Sequence, residues 1–516
     1  MPTIPATPAT AQPTGDSLRL RGSATEAFRD HLLPAIRRHL PAIEDRIAVV
    51  ITSSVAYGAA DRHSDLDMFI MFEREQDYLR YAGRLERLID RLDLGTLYGD
   101  VCDKGMRFEI ESLRRADLSA LFHHPERRPN WHRQSEWLLT WFLDARPIHD
   151  PAGIHARLLR RAGHWPADVL QARKDDARTR IVTWGETARR LADRQGPVYE
   201  TVRSAFRAAT ASLELAYLDA GRYAPHPKWR STYAEAMLRT DRQASTTLDA
   251  HRRLADHLAL ARWTVRGLDA ALRQHCASHG LSEPEPACGG WASELAAHAA
   301  PYTDDHSTMW VAESRAPGEA FHVAAREAAR AGEVVYLASE LGSDRIVSRT
   351  YDGVMRTAEP FRWLADLAKR DVGPPGIHVQ KRRWRFINFI IWRKLRVVDK
   401  AAKRGQAFTC RWYQFQVIDH LLEALAMLED EHLPPLHRYG SPGLASLKAP
   451  LFTDIALLPT SALVGDVQNF LAWGWREFEG LQHTLVKHGL LPREAAQDPL
   501  ATQWEIQYWK YENLFS

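Results

Sequence analysis

Cysteine is scarce. The 516 residues hold four (Cys102, Cys276, Cys288 and Cys410), scattered and without Cys-x-x-Cys spacing. That excludes a disulfide framework and fits a reducing, cytoplasmic setting. Net charge is nearly absent as well: 68 Lys+Arg against 65 Asp+Glu leave +3, so no bulk field points to a nucleic acid or a membrane, and any charged surface must be local. Long apolar runs are missing. The richest stretch, Phe386-Ile387-Asn388-Phe389-Ile390-Ile391-Trp392, is far shorter than the ~20 residues that span a bilayer, so no membrane partner is expected. The opening Met1-Pro2-Thr3-Ile4-Pro5 has neither the basic start nor the apolar core of a secretion signal. Walker loops, Gly-x-Gly-x-x-Gly, Gly-x-Ser-x-Gly and His-Glu-x-x-His are absent, which leaves kinase, dehydrogenase, hydrolase and zincin chemistries without support. His275, Cys276, His279 and Cys288, and the group His123, His124 and His132, lack structural-zinc spacing.

What is present is ordinary globular composition, 45% hydrophobic and 26% charged, enough for several cores. Residues 1–22, rich in Pro, Thr and Ala at their start, read as a disordered tail. Phe28, Leu32, Leu33, Ile36 and Leu40 then fall on one helical stripe within 24–45. Arg46 to Thr52 and Leu66 to Phe72 read as buried strands, Asp77 to Leu92 as an amphipathic helix, and Gly105 to Leu113 as a third strand. This α/β unit fills 23–150. Residues 151–281 are helical, with periodic stretches at Leu170 to Arg194, Val198 to Asp219 and Ser245 to His279. Ser282 to Gly290 is a linker, 291–370 a mixed region with a strand at Glu333 to Leu337, and 371–516 a second helical domain. The expected class is α+β: a small mixed-sheet domain followed by mainly α-helical ones.

A faint repeat links the two helical regions. At an offset of 210, Ala188 to Trp229 aligns without gaps on Val398 to Tyr439, matching Ala192/Ala402, Arg194/Arg404, Leu215/Leu425, Ala216/Ala426, Leu218/Leu428 and Pro225/Pro435.

Chemistry concentrates between the first two strands. Val49-Val50-Ile51 runs into the hydroxyl turn Thr52-Ser53-Ser54, and the next strand opens with Asp65-Leu66-Asp67. Backbone N–H groups at such a turn suit phosphate oxygens, and Ser54 adds a hydroxyl donor. Residues i and i+2 of a strand share a face, so Asp65 and Asp67 converge. Two carboxylates this close call for a cation, and an all-oxygen set favours Mg²⁺ completed by water and phosphate. Arg107, Glu109 and Glu111 alternate along the third strand, and Glu109 is preferred over Glu111 as the third carboxylate.

This segment resembles the nucleotidyltransferase superfamily that shares a fold with DNA polymerase β. The family pattern is a strand, Gly-Ser, a spacer, and Asp-x-Asp on the next strand. Ser54, Ala56, Gly58, Ser64, Asp65 and Asp67 match it; Ser53 replaces the family's Gly, and Tyr57 stands where a basic residue is common. The resemblance covers about 45–115 and extends more loosely into the helices, as in antibiotic nucleotidyltransferases.

It implies two Mg²⁺ ions held by Asp65, Asp67 and Glu109, an NTP (ATP first) gripped by Ser53 and Ser54, and transfer of a nucleoside monophosphate to a hydroxyl of a small-molecule acceptor with release of pyrophosphate. It further implies that Lys228, in Pro225-His226-Pro227-Lys228-Trp229, meets the triphosphate; the competing reading is a helix-ending turn with a packed Trp229. Two alternatives stand beside this function. One is a protein or tRNA acceptor, served by the basic amphipathic helix Lys381 to Arg404. The other is a nucleotide-binding sensor without turnover.

Overall fold

The computed structural model describes residues 14–98 (apart from 59, 62 and 63), 106–112, 140–162 (apart from 141), 165, 167–193, 198–225, 227–238, 241–259, 265–278, 291–297, 299–303, 308–312, 318–331, 334–337, 377–428 and 467–499. The class is α+β. The chain divides into two compact units: 1–170 with 217–226 and 233–241, and the remainder.

In the first unit helix α1 (Gly15–Glu26) continues through a π-helical turn (Ala27–Leu32) into α2 (Leu33–His39), and a 3₁₀ turn (Pro41–Arg46) delivers the chain to strand β1 (Ile47–Ile51). The tail expected through residue 22 therefore stops earlier. Thr14 caps α1 by accepting the Ser17 N–H, and Leu20 and Ala24 are buried, so α1 has an apolar stripe of its own that the Pro-rich start obscures. Four-residue steps from Leu20 through Ala24, Phe28 and Leu32 to Ile36 line one buried face.

The one-turn helix α3 (Ser53–Ala56) follows β1. Then come β2 (Leu66–Phe72), α4 (Glu75–Leu92), α5 (Leu94–Leu97), β3 (Met106–Ser112), β4 (Arg146–His149) and α6 (Ile154–Ala162). The sheet order is β3-β2-β1-β4, with β1 antiparallel to both β2 and β4 and β2 parallel to β3. Val49, Ile51, Met68 and Ile70 join Phe28, Leu32 and Leu85 in one core, while Ala48, Val50, Phe69 and Met71 join Phe142, Ile154 and Leu158 in another. Burial on both faces is why β1 and most of β2 are continuous apolar runs rather than alternating ones.

In the second unit the long helices are α7 (Ala167–Asp193, whose first residues belong to the first unit), α8 (Val198–Asp219, which crosses back into it), α9 (Pro227–Leu238), α10 (Arg242–Ala259) and α11 (Val265–Ser278). The single helical stretch expected over Ser245 to His279 is thus described as two helices. Next come α12 (Trp291–Ala296), β5 (Ala299–Thr303), β6 (Thr308–Ala312), α13 (Gly318–Ala331) and β7 (Val334–Leu337). The last are α14 (Ile377–Lys403), α15 (Ala407–Leu428), α16 (Val467–Lys487) and α17 (Arg493–Gln497). The amphipathic helix expected over Lys381 to Arg404 falls within α14 but for its last residue, and Trp384, Ile387, Ile391, Leu395 and Val398 on it are buried with Phe415, Ile418, Phe470 and Trp473. The linker 282–290 lies outside the described residues.

The faint repeat has a structural counterpart. Helices α7 and α14 each have 27 residues, α8 and α15 each have 22, and their starts are separated by 210 and 209 positions. Ahead of each pair stands the same connectivity. An antiparallel strand pair leads to a helix and then to a third strand parallel to the second: β1-β2-α4-β3 in one case, β5-β6-α13-β7 in the other. They differ at the first connection, residues 52–65 against residues 304–307. Pro435 of the alignment lies outside the described residues.

Candidate active site

The turn after β1 is fixed from the β2 side. Thr52, almost wholly buried, donates its backbone N–H to the Asp67 carbonyl at 3.0 Å, extending the β1–β2 ladder by one bond. Ser53 then takes φ = 60°, a left-handed backbone that costs an L-residue about 1–2 kcal/mol and comes freely only to glycine. Serine thus keeps a glycine-like backbone here. Its neighbour Ser54 is 1% exposed, and its Oγ has no hydrogen-bond partner among the described residues. A buried hydroxyl without a partner costs about 1–3 kcal/mol, so this one is suited to an acceptor brought from outside. Gly58, at φ = 77°, ends the short helix.

The approach to the aspartates is a tight turn. Ser64 N–H donates to the Asp61 carbonyl at 2.9 Å, its hydroxyl donates to Asp61 Oδ1 at 3.0 Å, and that hydroxyl accepts the Asp61 N–H at 3.0 Å. Asp65 and Asp67 follow, both half-buried, flanking the buried Leu66. Asp67 is the second residue of β2, while Asp65 stands one residue before the strand begins.

The β2–β3 register sets Asp67 level with Arg107 and Phe69 level with Glu109. Glu109 therefore sits two residues, ~6.6 Å, further along the sheet from Asp67, and Glu111 as far again. Among the described residues no three His, Cys, Asp or Glu side chains form a metal-binding group; the side chains of Arg107, Glu109 and Glu111 fall outside the described set. In chemistry, the two carboxylates of Asp65 and Asp67 are hard-oxygen donors of the kind that bind hydrated Mg²⁺.

Lys228 lies in the first turn of α9, within the second unit, and its side chain is also outside the described set. Trp229 is buried, with the Arg404 guanidinium 5.7 Å from its ring, so the packed-tryptophan reading holds for that residue. The chain reverses at Gly221 (φ = 66°), after which Pro227 opens α9.

One cluster escaped the sequence reading. Tyr57 is buried against Tyr233 with ring centroids 4.4 Å apart. Its hydroxyl faces Thr140 and Asp144, and burial pushes it well above the usual phenol range. Burial also pushes the Asp144 carboxyl up to about 6, although Arg222, Arg146 and the Tyr57 hydroxyl pull it the other way. These residues lie far apart in sequence. The one local hint was the aromatic at position 57.

Comparison with protein-family models and with curated proteins returned no match.

Proposed function

We propose that this chain is a metal-dependent nucleotidyltransferase that moves a nucleoside monophosphate, AMP from ATP in the first instance, onto a hydroxyl of a small molecule and releases pyrophosphate. The observation that carries this reading is the buried Ser54 hydroxyl, without a partner among the described residues and held by a left-handed Ser53 on a turn tied through Thr52 to Asp67.

Each residue has a role in this reading. Ser54 donates its hydroxyl to a β- or γ-phosphate oxygen, with the backbone N–H groups at Ser53 and Ser54 alongside. Asp65 and Asp67 provide the carboxylates for Mg²⁺. Bound there, Mg²⁺ would neutralise triphosphate charge and lower the pKa of the acceptor hydroxyl. Glu109, nearer to Asp67 along the register than Glu111, takes the acceptor's proton. Lys228 is assigned to the triphosphate on the strength of the family resemblance alone.

The test is pyrophosphate release from each of the four NTPs with Mg²⁺, across a panel of hydroxylated small molecules, with Asp65→Ala/Asp67→Ala as control. Release requiring both an acceptor and the two aspartates supports the reading. Nucleotide binding without release for any small-molecule, protein or RNA acceptor would replace it with a binding module.

A further inference from the structure

Helix α3 is a single turn, too short to hold its own orientation in water, where helix nucleation is unfavourable. Yet it carries Ser54, and the chain leaving it leads to Asp65. Much of its support comes from α1, some forty residues earlier in the sequence.

Thr14 donates its backbone N–H to the Gly58 carbonyl at 3.0 Å and its hydroxyl to the Ala60 carbonyl at 2.7 Å. The Ala60 N–H donates to Ser17 Oγ at 2.8 Å, and the Ser17 and Thr14 hydroxyls lie 2.8 Å apart. Arg21, one helical turn beyond Ser17, donates from Nη2 to the Val55 carbonyl at 3.3 Å. Four backbone polar groups of the irregular stretch between Ser54 and Asp65 are thus satisfied from one helix face. Irregular backbone that is buried needs such partners to stay in one conformation.

Arg21 is not placed for charge pairing. Among the described residues no carboxylate pairs with it, and burial together with the neighbouring Arg146 depresses its affinity for a proton. A guanidinium held partly buried beside another cation is accounted for by the carbonyl it caps.

We propose that α1 is a strap that orders the nucleotide-binding turn, with Thr14, Ser17 and Arg21 as its positioning residues. The strap stands on the hydrogen bonds. Its bearing on catalysis rests on the nucleotidyltransferase reading above.

The experiment compares full-length wild type with Ser17→Ala, Thr14→Ala, the conservative Thr14→Ser, and Leu20→Ala as a packing control on the same helix. Hydrogen exchange of peptides covering 52–62 and 66–72 is read alongside Mg²⁺–ATP binding and pyrophosphate release. Loss of one buried hydrogen bond is expected to speed exchange over 52–62 by roughly tenfold while β2 stays protected. Mg²⁺–ATP affinity should weaken by a similar factor, and Thr14→Ser should restore both. Leu20→Ala is expected to loosen α1 and the sheet together.

Unchanged exchange over 52–62 in Ser17→Ala and Thr14→Ala overturns the strap, as does a rise shared equally by β2. Faster exchange over 52–62 with unchanged ATP affinity and turnover overturns the positioning role. If wild type neither binds ATP nor releases pyrophosphate, the functional reading fails, and the exchange data still decide the strap.

Discussion

Ser53 opens α3 and Gly58 follows it, both with left-handed backbones, φ = 60° and φ = 77°. Only one of them is a glycine. At the other a side chain is retained despite the steric cost.

Substitution at Ser53 should expose that cost. Ser53→Gly is expected to leave thermal stability unchanged or raise it by up to about 1 kcal/mol, because relief of the left-handed strain outweighs the extra freedom of the unfolded chain. Ser53→Val should lower it by about 1–2 kcal/mol, since a β-branched residue tolerates this backbone least. Calorimetry on both variants checks the pair. Equal melting temperatures would mean that the left-handed turn carries no strain.

Metal removal separates the two aspartates from a merely structural role. Treatment with EDTA should abolish pyrophosphate release and Mg²⁺ should restore it. Asp65→Asn and Asp67→Asn should each reduce turnover by at least ~10³-fold, the scale of losing preorganised charge at a reacting phosphate. Far-ultraviolet circular dichroism should be unaltered. Turnover that survives either substitution removes that aspartate from the reaction.

Two buried groups should tilt the pH-stability profile in opposite directions. Asp144 is raised from 3.8 to about 6, so between those values the folded state holds a proton that the unfolded chain has lost. Its contribution therefore falls as pH rises from about 4 to about 6. His251 is lowered from 6.5 to about 4 by burial, with its ring 2.8 Å from the Ala209 carbonyl. Its contribution is complete above about 6.5 and is lost as pH falls toward 4. Melting temperatures from pH 4 to 7 should steepen upward with pH in Asp144→Asn and flatten in His251→Gln. The same slope in wild type and both variants would refute the assignment.

Glu214 should be the costliest single residue to remove from the helical unit. Its buried carboxylate accepts from Arg173 at 2.7 Å, Arg180 at 3.0 Å and Arg230 at 3.3 Å, while Asp176 shares the first two arginines. Glu214→Ala leaves buried guanidinium groups short of a counter-charge, which costs about 3–5 kcal/mol. Glu214→Gln should cost less. Denaturation monitored by tryptophan fluorescence reports the difference, and a loss under about 1 kcal/mol for the alanine variant contradicts this account.

The parts of this molecule that could be read from its sequence are those whose signal is local. β1 and β2 announced themselves as short apolar runs, and α14 as an amphipathic helix, because burial of a periodic face writes itself into neighbouring positions. Other features depended on contacts that sequence spacing cannot encode. Thr14 and Ser17 looked like part of a tail because their partners lie beyond position 54. Tyr57 meets Tyr233 across more than 170 positions, and Glu109 could be ranked over Glu111 by register only once Asp67 was seen level with Arg107. Residues 291–337 gave a mixed pattern since their strands are short; the shared connectivity with the first sheet is a property of pairing, not of composition.

That shared connectivity gives the chain a built-in comparison. The β5–β6 connection spans 304–307, Asp-Asp-His-Ser, and no aspartate pair flanks the first residue of β6. What the two sheets have in common is attributable to architecture, while the hydroxyl turn and the aspartate pair belong to residues 52–67 of the first alone. An ancestral unit that was copied once and kept its extended loop in a single copy would leave this arrangement: two frames of one connectivity, one of them free to diverge, with fourteen residues at the first connection of one and four at that of the other.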